Sequence, residues 1–249
     1  ANDIVLAVNK SKSPGTLNLD DLKNYSPVKQ AALCHRLKNK FKICGPNLPS
    51  SGTISILQAL ILYEFYSKKK RLDLNDILEI LNFIYSIRDS KLADPDYVDI
   101  DINKLLDQNY IVKSFEKFNK SKNISLIDNF QEVFSSTSHF TLVDRYENVL
   151  SATSSIESSF GSRLYTNGFF LNNQLTDFSF KIIDKTGELI KNRPQAGKRP
   201  LSSMSPLIVF DQNDNFILTL GSPGGKAIIS YVFKSLLSVF YMNESIQEA

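Results

Sequence analysis

Residues 135–161 begin with four small hydroxyl residues in a row, Thr137 among them. An alternating run at 139–144, a polar turn and a second extended run at 149–155 follow, which is the pattern of a β-hairpin. A threonine that becomes a chain N-terminus can act as a nucleophile, with its own amine as the base. Thr137 is therefore the first candidate for a catalytic residue.

The composition indicates which class of protein contains this stretch. The chain has 249 residues, 42% of them hydrophobic and 22% charged, which is typical of one large globular domain or two small ones. A net charge of +3, from 29 basic and 26 acidic residues, does not indicate a nucleic-acid partner. The two histidines, His35 and His139, are far apart and no CxxC pattern exists, so no metal site is predicted.

The cysteines and the chain ends give less information about the class of protein. Cys34 and Cys44 either pair or stay as free buried thiols, and the sequence leaves both open. No apolar run is long enough to span a membrane. Because the chain opens and closes inside helical patterns, we expect it to be a piece of a longer protein.

Hydrophobic periodicity predicts a mainly helical first half. A polar segment at 119–136 is predicted to be a linker, so that a helical unit ends at residue 136 and a β-rich unit begins at Thr137. The predicted elements before the linker are an edge strand at 37–43 and helices at 53–66, 74–92 and 102–118. The first of these helices has Ile54, Leu57, Ile61 and Phe65 on one buried face.

The second half reads as strands closed by one helix. After the first hairpin the pattern predicts a strand at 163–172, and residues 180–197 have no clear period and suit a lid over a pocket. Residues 207–210 and 216–220 predict a second hairpin. A GSPGG segment at 221–225 then opens a long apolar helix to about Tyr241. This order predicts a sheet covered by helices.

Four motifs stand in one order within fewer than ninety residues: TSH at 137–139, NNQLTDFS at 172–179, RPLSSMSP at 199–206 and GSPGG at 221–225. Together they resemble the γ-glutamyltranspeptidases, although each motif alone is weak. The PSSG loop at 49–52 and the DPD turn at 94–96 also match, so the resemblance covers nearly the whole chain. It implies an α+β fold, namely part of the four-layer αββα sandwich of the N-terminal-nucleophile hydrolases.

The resemblance also implies a zymogen that cuts itself between Ser136 and Thr137. Residues 1–136 would then be the C-terminal part of a large subunit. Residues 137–249 would be a small subunit that begins at its nucleophile and lacks its C-terminal end. The two subunits would associate as a heterodimer, and no cofactor or metal is implied.

Further roles follow from the same resemblance. A glycine pair would bind the oxyanion, because glycines let the backbone approach closely and the next helix directs its positive end there. Two serines would bind the substrate α-carboxylate, and an amide and a carboxylate would hold its α-ammonium. The glycine pair is Gly224 and Gly225, the two serines are Ser202 and Ser203, and the amide and carboxylate are those of Gln174 and Asp177. Ser155, where many members carry threonine, would support the nucleophile's amine. Thr153, on the same strand face, is a second candidate for that role.

Taken singly, these residues have plainer explanations. Thr137 on its own would be a strand threonine beside a polar turn, and the glycine pair a strand-to-helix turn. The serines at 202–203 would cap backbone groups, and residues 174–177 would form an Asx turn. The loop at 49–52 suits either an anion at a helix N-terminus or a tight turn with a cap, and the residues leave this open.

Two departures from the family pattern bear on the substrate. Glu157 stands where the best-known members have asparagine; a second carboxylate near Asp177 would still attract an ammonium and could raise one carboxylate's pKa. It resembles a bacterial branch of the family. The family's carboxylate-binding arginine lies in an N-terminal region outside this chain, and none of Arg163, Arg193 and Arg199 matches its motif.

The sequence therefore predicts an autoprocessing γ-glutamyltransferase/hydrolase. It would transfer the γ-glutamyl group of glutathione or a related amide to water, an amino acid or a peptide through an ester on Thr137. The alternatives are a related amide acylase, acting on β-lactam side chains or poly-γ-glutamate, or an inactive truncated homologue. The resemblance favours a periplasmic or extracellular location.

Overall fold

A computed structural model describes residues 1–38, 41–120 and 135–249. Helices dominate the part before residue 121, and most strands lie after it. Most of the predicted linker at 119–136 lies outside the described residues. The helices are α1 Asn2–Asn9, α2 Leu19–Asn24, α3 Gly52–Tyr66, α4 Leu74–Lys91, α5 Ile102–Leu106, α6 Gln108–Lys120 and α7 Ile228–Tyr241. The strands are β1 Leu33–Arg36, β2 Lys42–Gly45, β3 Ser135–Val143, β4 Val149–Ser158, β5 Tyr165–Thr166, β6 Phe169–Phe170, β7 Leu207–Phe210 and β8 Phe216–Leu220.

The main sheet has the strand order β1-β2-β7-β8, with every pair antiparallel. Ile43 of β2 lies opposite Val209 of β7, and both are buried on the same face. Strands from both halves of the chain therefore form one sheet.

Helices α3 and α7 pack against each other beside this sheet, and α4, α5 and α6 pack against α3. Helix α3 was predicted to bury one face, and this was wrong: it is buried from Gly52 to Leu62 without a break. A helix that is apolar all round belongs between other layers. The mixed helix and sheet architecture confirms the predicted α+β class.

The helix predictions at 53–66 and 74–92 are confirmed. Helix α4 begins at a capping box, in which the Asp73 carboxylate accepts from the Asp76 N–H at 2.9 Å and Asp76 accepts from the Asp73 N–H at 3.1 Å. The single helix predicted at 102–118 is wrong, because it is interrupted at Asp107. That residue is extended and its carboxylate accepts from the Tyr110 N–H at 2.8 Å, which starts α6.

Two strand predictions were also wrong. The alternation at 37–43 does not mark one strand: Leu37 follows β1, its N–H donates to the Phe41 carbonyl at 2.8 Å, and β2 begins at Lys42; residues 39 and 40 lie outside the described residues. The strand predicted at 163–172 contains only the short pair β5 and β6. Asn167 and Gly168 have φ of 50° and 86°, so the chain reverses there.

The predicted hairpins are confirmed as β3–β4 and β7–β8, and the predicted last helix as α7. Strand β4 lies beside β7 and β8. A disulfide joins Cys34 of β1 to Cys44 of β2, which resolves the open question about the cysteines. None of the described helices is both long and apolar enough to cross a membrane.

Candidate active site

The Thr137 hydroxyl lies at the start of the β3–β4 hairpin. Thr137 is paired with Ser155, and their hydroxyl oxygens are 2.9 Å apart. The Ser155 oxygen also accepts from the Glu157 backbone N–H at 2.9 Å. Since the backbone orients Ser155 in this way, the Thr137 hydroxyl is held in a defined position.

A β-bulge stands opposite Ser136. The pairing runs from Ser135 with Ser158 to Thr137 with Ser155, so β4 has one more residue than β3 here. Glu157 lies in the bulge with a φ of 72°, which non-glycine residues adopt rarely. Bulges re-aim a side chain and are frequent beside active sites. Strand alternation therefore does not give the direction of the Glu157 side chain.

The Glu157 carboxylate is held by its neighbours. It accepts from the Ser158 hydroxyl and from the Asn173 amide. Asn173 also accepts from the Ser158 N–H at 3.0 Å. These contacts join the end of β4 to the loop that contains Gln174 and Asp177.

Asp177 lies in a half-buried position next to charges from several elements. Burial raises the pKa of Asp177, and the Glu157 charge raises it further. The hydrogen bond donated by Gln174 and the charges of Arg88 and Lys226 act in the opposite direction. The structure thus brings the predicted ammonium-binding residues within electrostatic reach of α4 and of the segment that follows Gly225.

His139 joins β3 to the glycine-rich segment 221–225. Its Nδ1 is 2.8 Å from the Thr153 hydroxyl, and a Cβ at Gly221 would lie 2.4 Å from the ring. Burial lowers the pKa of His139, and among the described residues its buried Nε2 has no hydrogen-bond partner. Thr153 is therefore engaged by His139, while Ser155 contacts Thr137.

The predicted oxyanion glycines have backbone conformations that favour glycine. Gly224 has a φ of 132° and Gly225 a φ of 55°, and a Cβ at Gly224 would lie 2.8 Å from the Tyr231 ring. A short 3-10 turn and α7 follow directly. The Tyr85 hydroxyl of α4 donates to the Lys226 carbonyl at 2.8 Å, so α4 fixes this segment.

The PSSG loop at 49–52 holds the loop that contains Ser202. The Ser202 N–H donates to the Pro49 carbonyl at 3.0 Å, and the Ser202 carbonyl accepts from the N–H and the hydroxyl of Ser51. A Cβ at Gly52 would lie 1.8 Å from the Ser205 hydroxyl oxygen. Only glycine lets the two loops come this close.

Arg88 of α4 lies behind Ser203 and is 5% exposed. Its guanidinium donates to the Ser51 hydroxyl at 3.0 Å and to the Ser203 hydroxyl at 2.9 Å. Sequence reasoning gave no role to Arg88 or His139. The signal for Arg88 was its spacing, since it falls one turn after Ile84 on the buried stripe of α4.

The Asp94 carboxylate anchors the other end of the serine loop. It is fully buried and accepts three hydrogen bonds from Arg199, at 2.6, 2.8 and 3.0 Å. Burial opposes ionisation of Asp94, but these bonds outweigh it and the pKa is lowered. Of the other two arginines considered, Arg193 donates to the Ile190 carbonyl and Arg163 lies near α1.

Fold comparison places the architecture in a class. The structure superposes on the crystal structure of a cephalosporin acylase from Bacillus halodurans with a TM-score of 0.77 at 17% identity, covering 100% of this chain and 45% of that one. At this identity the likeness concerns the fold alone. The fold is the α+β fold of the N-terminal-nucleophile hydrolases.

Sequence comparison gives the family. The Gamma-glutamyltranspeptidase family matches residues 1–249. The chain is 33% identical to the glutathione hydrolase proenzyme of Bacillus subtilis subsp. natto, over 90% of this chain and 41% of the relative, and 30% identical to that of Escherichia coli K12, over 98% and 44%. It is 31% identical to the capsule biosynthesis protein CapD proenzyme of Bacillus anthracis, over 72% and 32%. The chain belongs to the γ-glutamyltranspeptidase family, and it spans about two-fifths of the length of the two glutathione hydrolases.

Proposed function

We propose that the protein containing this chain is an autoprocessing γ-glutamyltransferase/hydrolase whose nucleophile is Thr137. The observation that carries the proposal is the 2.9 Å contact between the Thr137 and Ser155 hydroxyls, at the position that the family motif assigns to the nucleophile. The names of the relatives, glutathione hydrolase proenzymes, support a precursor that is cut.

Processing would begin with attack of the Thr137 hydroxyl oxygen on the carbonyl carbon of Ser136. The C–N bond breaks, the Thr137 nitrogen takes up a proton, and an ester remains. Water then hydrolyses the ester, which leaves a carboxylate on Ser136 and a free amine on Thr137. A bulge opposite Ser136 and a hydroxyl partner for Thr137 both favour chemistry at this bond.

Turnover would use the new amine as the base. An α-amine has a pKa of about 8, so near neutral pH it can take the Thr137 hydroxyl proton and return it to the leaving amine. The hydroxyl oxygen attacks the γ-carbonyl of the donor and forms a γ-glutamyl ester. Water or the amine of an acceptor amino acid or peptide resolves the ester. The backbone N–H groups of Gly224 and Gly225 would stabilise the oxyanion.

The proposed substrate is amino-acid-like, and its two charged groups would be bound by different residues. Ser202 and Ser203 would bind the α-carboxylate. Asp177, hydrogen-bonded by Gln174, would bind the α-ammonium, with Glu157 adding negative charge nearby.

Cleavage tests the proposal directly in the full-length gene product. We expect the wild type to split into two pieces, one with Thr137 at its N-terminus, as shown by gel electrophoresis and mass spectrometry. Thr137→Ala should stay in one piece and Thr137→Ser should split more slowly. Thr141→Ala, an exposed threonine on the same strand, is the matched control and should split normally. A wild type that remains one band after long incubation would count decisively against the proposal.

A second candidate keeps this chemistry and changes the donor. Glu157 motivates it, because the bulge and its contacts with Ser158 and Asn173 hold an additional carboxylate beside the ammonium site. The donor would then be a poly-γ-glutamate or the side chain of a β-lactam. Faster turnover of glutaryl-p-nitroanilide than of γ-glutamyl-p-nitroanilide would favour the acylase.

We also propose that the protein works in the periplasm or outside the cell. The disulfide between Cys34 and Cys44 supports this, because disulfides persist mainly in oxidising compartments. Alkylation of fractionated cells under non-reducing conditions, followed by mass spectrometry, should find both thiols protected. Alkylated thiols in the cytoplasmic fraction alone would contradict this location.

A further inference from the structure

Arg88 contributes a buried cation to the serine side of the site. Its guanidinium reaches Ser51 at 3.0 Å, Ser203 at 2.9 Å and the Asp89 carboxylate at 2.6 Å. Two of these three partners are neutral hydroxyls. A charge taken out of water is costly unless an opposite charge compensates it.

Asp89 compensates Arg88 only in part. Its side chain is 55% exposed, and Lys226 approaches it to 4.0 Å. Two cations therefore face one well-hydrated carboxylate, and the further carboxylate that their charges act on, Asp177, is the group proposed to bind the α-ammonium. A bound anion next to Ser203 would supply the missing negative charge.

The direction of the hydrogen bonds shows how Ser203 could meet such an anion. Arginine only donates, so the Ser203 oxygen accepts from Arg88 and keeps its own hydrogen for another acceptor. Ser51 also accepts from Arg88, but its hydrogen is used at the Ser202 carbonyl at 2.6 Å. Within the part of the chain that the structure describes, no acceptor for the Ser203 hydrogen is found.

We propose that Arg88 is a positioning residue that makes the donor subsite selective for an α-carboxylate. It fixes Ser203 as a hydrogen-bond donor and adds positive charge behind that hydroxyl, while Asp177 provides negative charge for the α-ammonium. This inference rests on the proposed function, in which Ser203 binds the substrate. It supplies, from within this chain, a cation for the serine side of the site.

Three anilides separate the two charges of the substrate. γ-Glutamyl-p-nitroanilide has both, 4-aminobutyryl-p-nitroanilide lacks the carboxylate, and glutaryl-p-nitroanilide lacks the ammonium. With Arg88→Gln in the full-length protein, we expect KM to rise about 10- to 100-fold for the two anilides that keep the carboxylate, the effect of losing a hydrogen bond to a charged group. KM for the 4-aminobutyryl anilide should change much less, because Arg88 acts on the ammonium side only through its charge on Asp177. Arg88→Lys, which keeps the charge but cannot donate to two hydroxyls in the geometry of a guanidinium, should restore part of the affinity.

Free acids provide the same comparison where an anilide reacts slowly. L-Glutamate, 4-aminobutyrate and glutarate are tested as competitive inhibitors. Only the inhibition constants of L-glutamate and glutarate, which keep a carboxylate at the α-carboxylate position, should rise. Combining Arg88→Gln with Ser203→Ala should add little to either change alone, because the two residues act as a unit. Arg36→Gln, which removes a guanidinium paired with Asp214 on the main sheet, is the control and should leave all constants unchanged.

The outcomes distinguish this role from the proposed function. An equal loss for all three anilides, or additive effects of the two substitutions, would make Arg88 a purely structural residue and overturn the inference alone. A wild type that neither turns over the γ-glutamyl anilide nor is inhibited by L-glutamate would overturn both.

Discussion

The Thr137 hydroxyl belongs to a short chain of hydrogen bonds. The Glu157 N–H donates to the Ser155 oxygen, and Ser155 contacts Thr137. Because the donor is backbone, Ser155 is restrained before any substrate binds. A hydroxyl at position 155 should therefore matter for both processing and turnover.

Replacing Ser155 tests this chain of hydrogen bonds. We expect Ser155→Ala to slow cleavage at Thr137 and donor turnover by about tenfold, the effect of one lost hydrogen bond. Ser155→Thr should keep most of the activity. Ser151→Ala is the matched control, since Ser151 lies on the same strand and its buried hydroxyl has no hydrogen-bond partner among the described residues. Equal rates for Ser155→Ala and the control would refute the role.

His139 makes stability depend on pH. Burial lowers its pKa in the folded state, so the unfolded chain binds a proton first as the pH falls below about 6.5. The stabilisation that comes from a neutral His139 is thus present above that pH and is lost below it. Urea unfolding of the wild type and of His139→Gln should show a difference in unfolding free energy that shrinks between pH 7.5 and 5.5. A difference that stays constant would show that His139 does not titrate in this range.

Residue types and motifs pointed to candidate reacting groups but not to the residues that contact them. Thr137, the serine pair and the glycine pair stand in recognisable motifs; Thr137 contacts Ser155 within the hairpin, while α4 contacts Ser203 and the Lys226 carbonyl next to the glycine pair. Arg88 was missed because a basic residue near the end of a helix is usually exposed. The direction of Glu157 could not be predicted either, since a bulge is invisible to strand alternation.

At the scale of elements, β1 is an edge strand of only four residues that a disulfide fastens to β2. The cysteines are 10 residues apart, so the crosslink closes a short loop in the unfolded chain. Replacing both by serine should lower the free energy of unfolding by about 2–3 kcal/mol. Denaturant unfolding measures this change. The wild type in reducing buffer should lose the same amount, and an unchanged midpoint there would contradict the prediction.

Elements with a strong period were predicted well, and elements defined by one polar contact were not. Helix α4 has both an apolar stripe and a capping box, and its range was close to that predicted. Asp107 interrupts a continuous apolar pattern because its side chain caps α6. Hydrophobic periodicity does not reveal such a cap. The alternation of apolar and basic residues at 37–43 predicts a strand, but β1 ends at Arg36 and β2 begins at Lys42.

At the scale of the whole molecule, the predicted cut would divide a single packed structure. Strands β1 and β2 precede Thr137, whereas β7 and β8 follow it, and β2 pairs with β7 in the middle of the sheet. Helix α3, from the first piece, packs against α7 from the second. The ion pair of Asp94 with Arg199 also crosses between the pieces.

The two pieces should therefore stay together after cleavage without a covalent link. Both cysteines lie in the first piece, so the disulfide does not tether the second. We expect the cleaved protein to elute as one species in size-exclusion chromatography, in reducing as well as oxidising buffer, and to separate only in denaturant. Asp94→Asn should weaken the association by about 3 kcal/mol, because it leaves Arg199 without its buried carboxylate. Asp99→Asn, at an exposed aspartate nearby in the chain, should not. Separation of the wild-type pieces in native buffer would show that the shared sheet and core are insufficient to hold them.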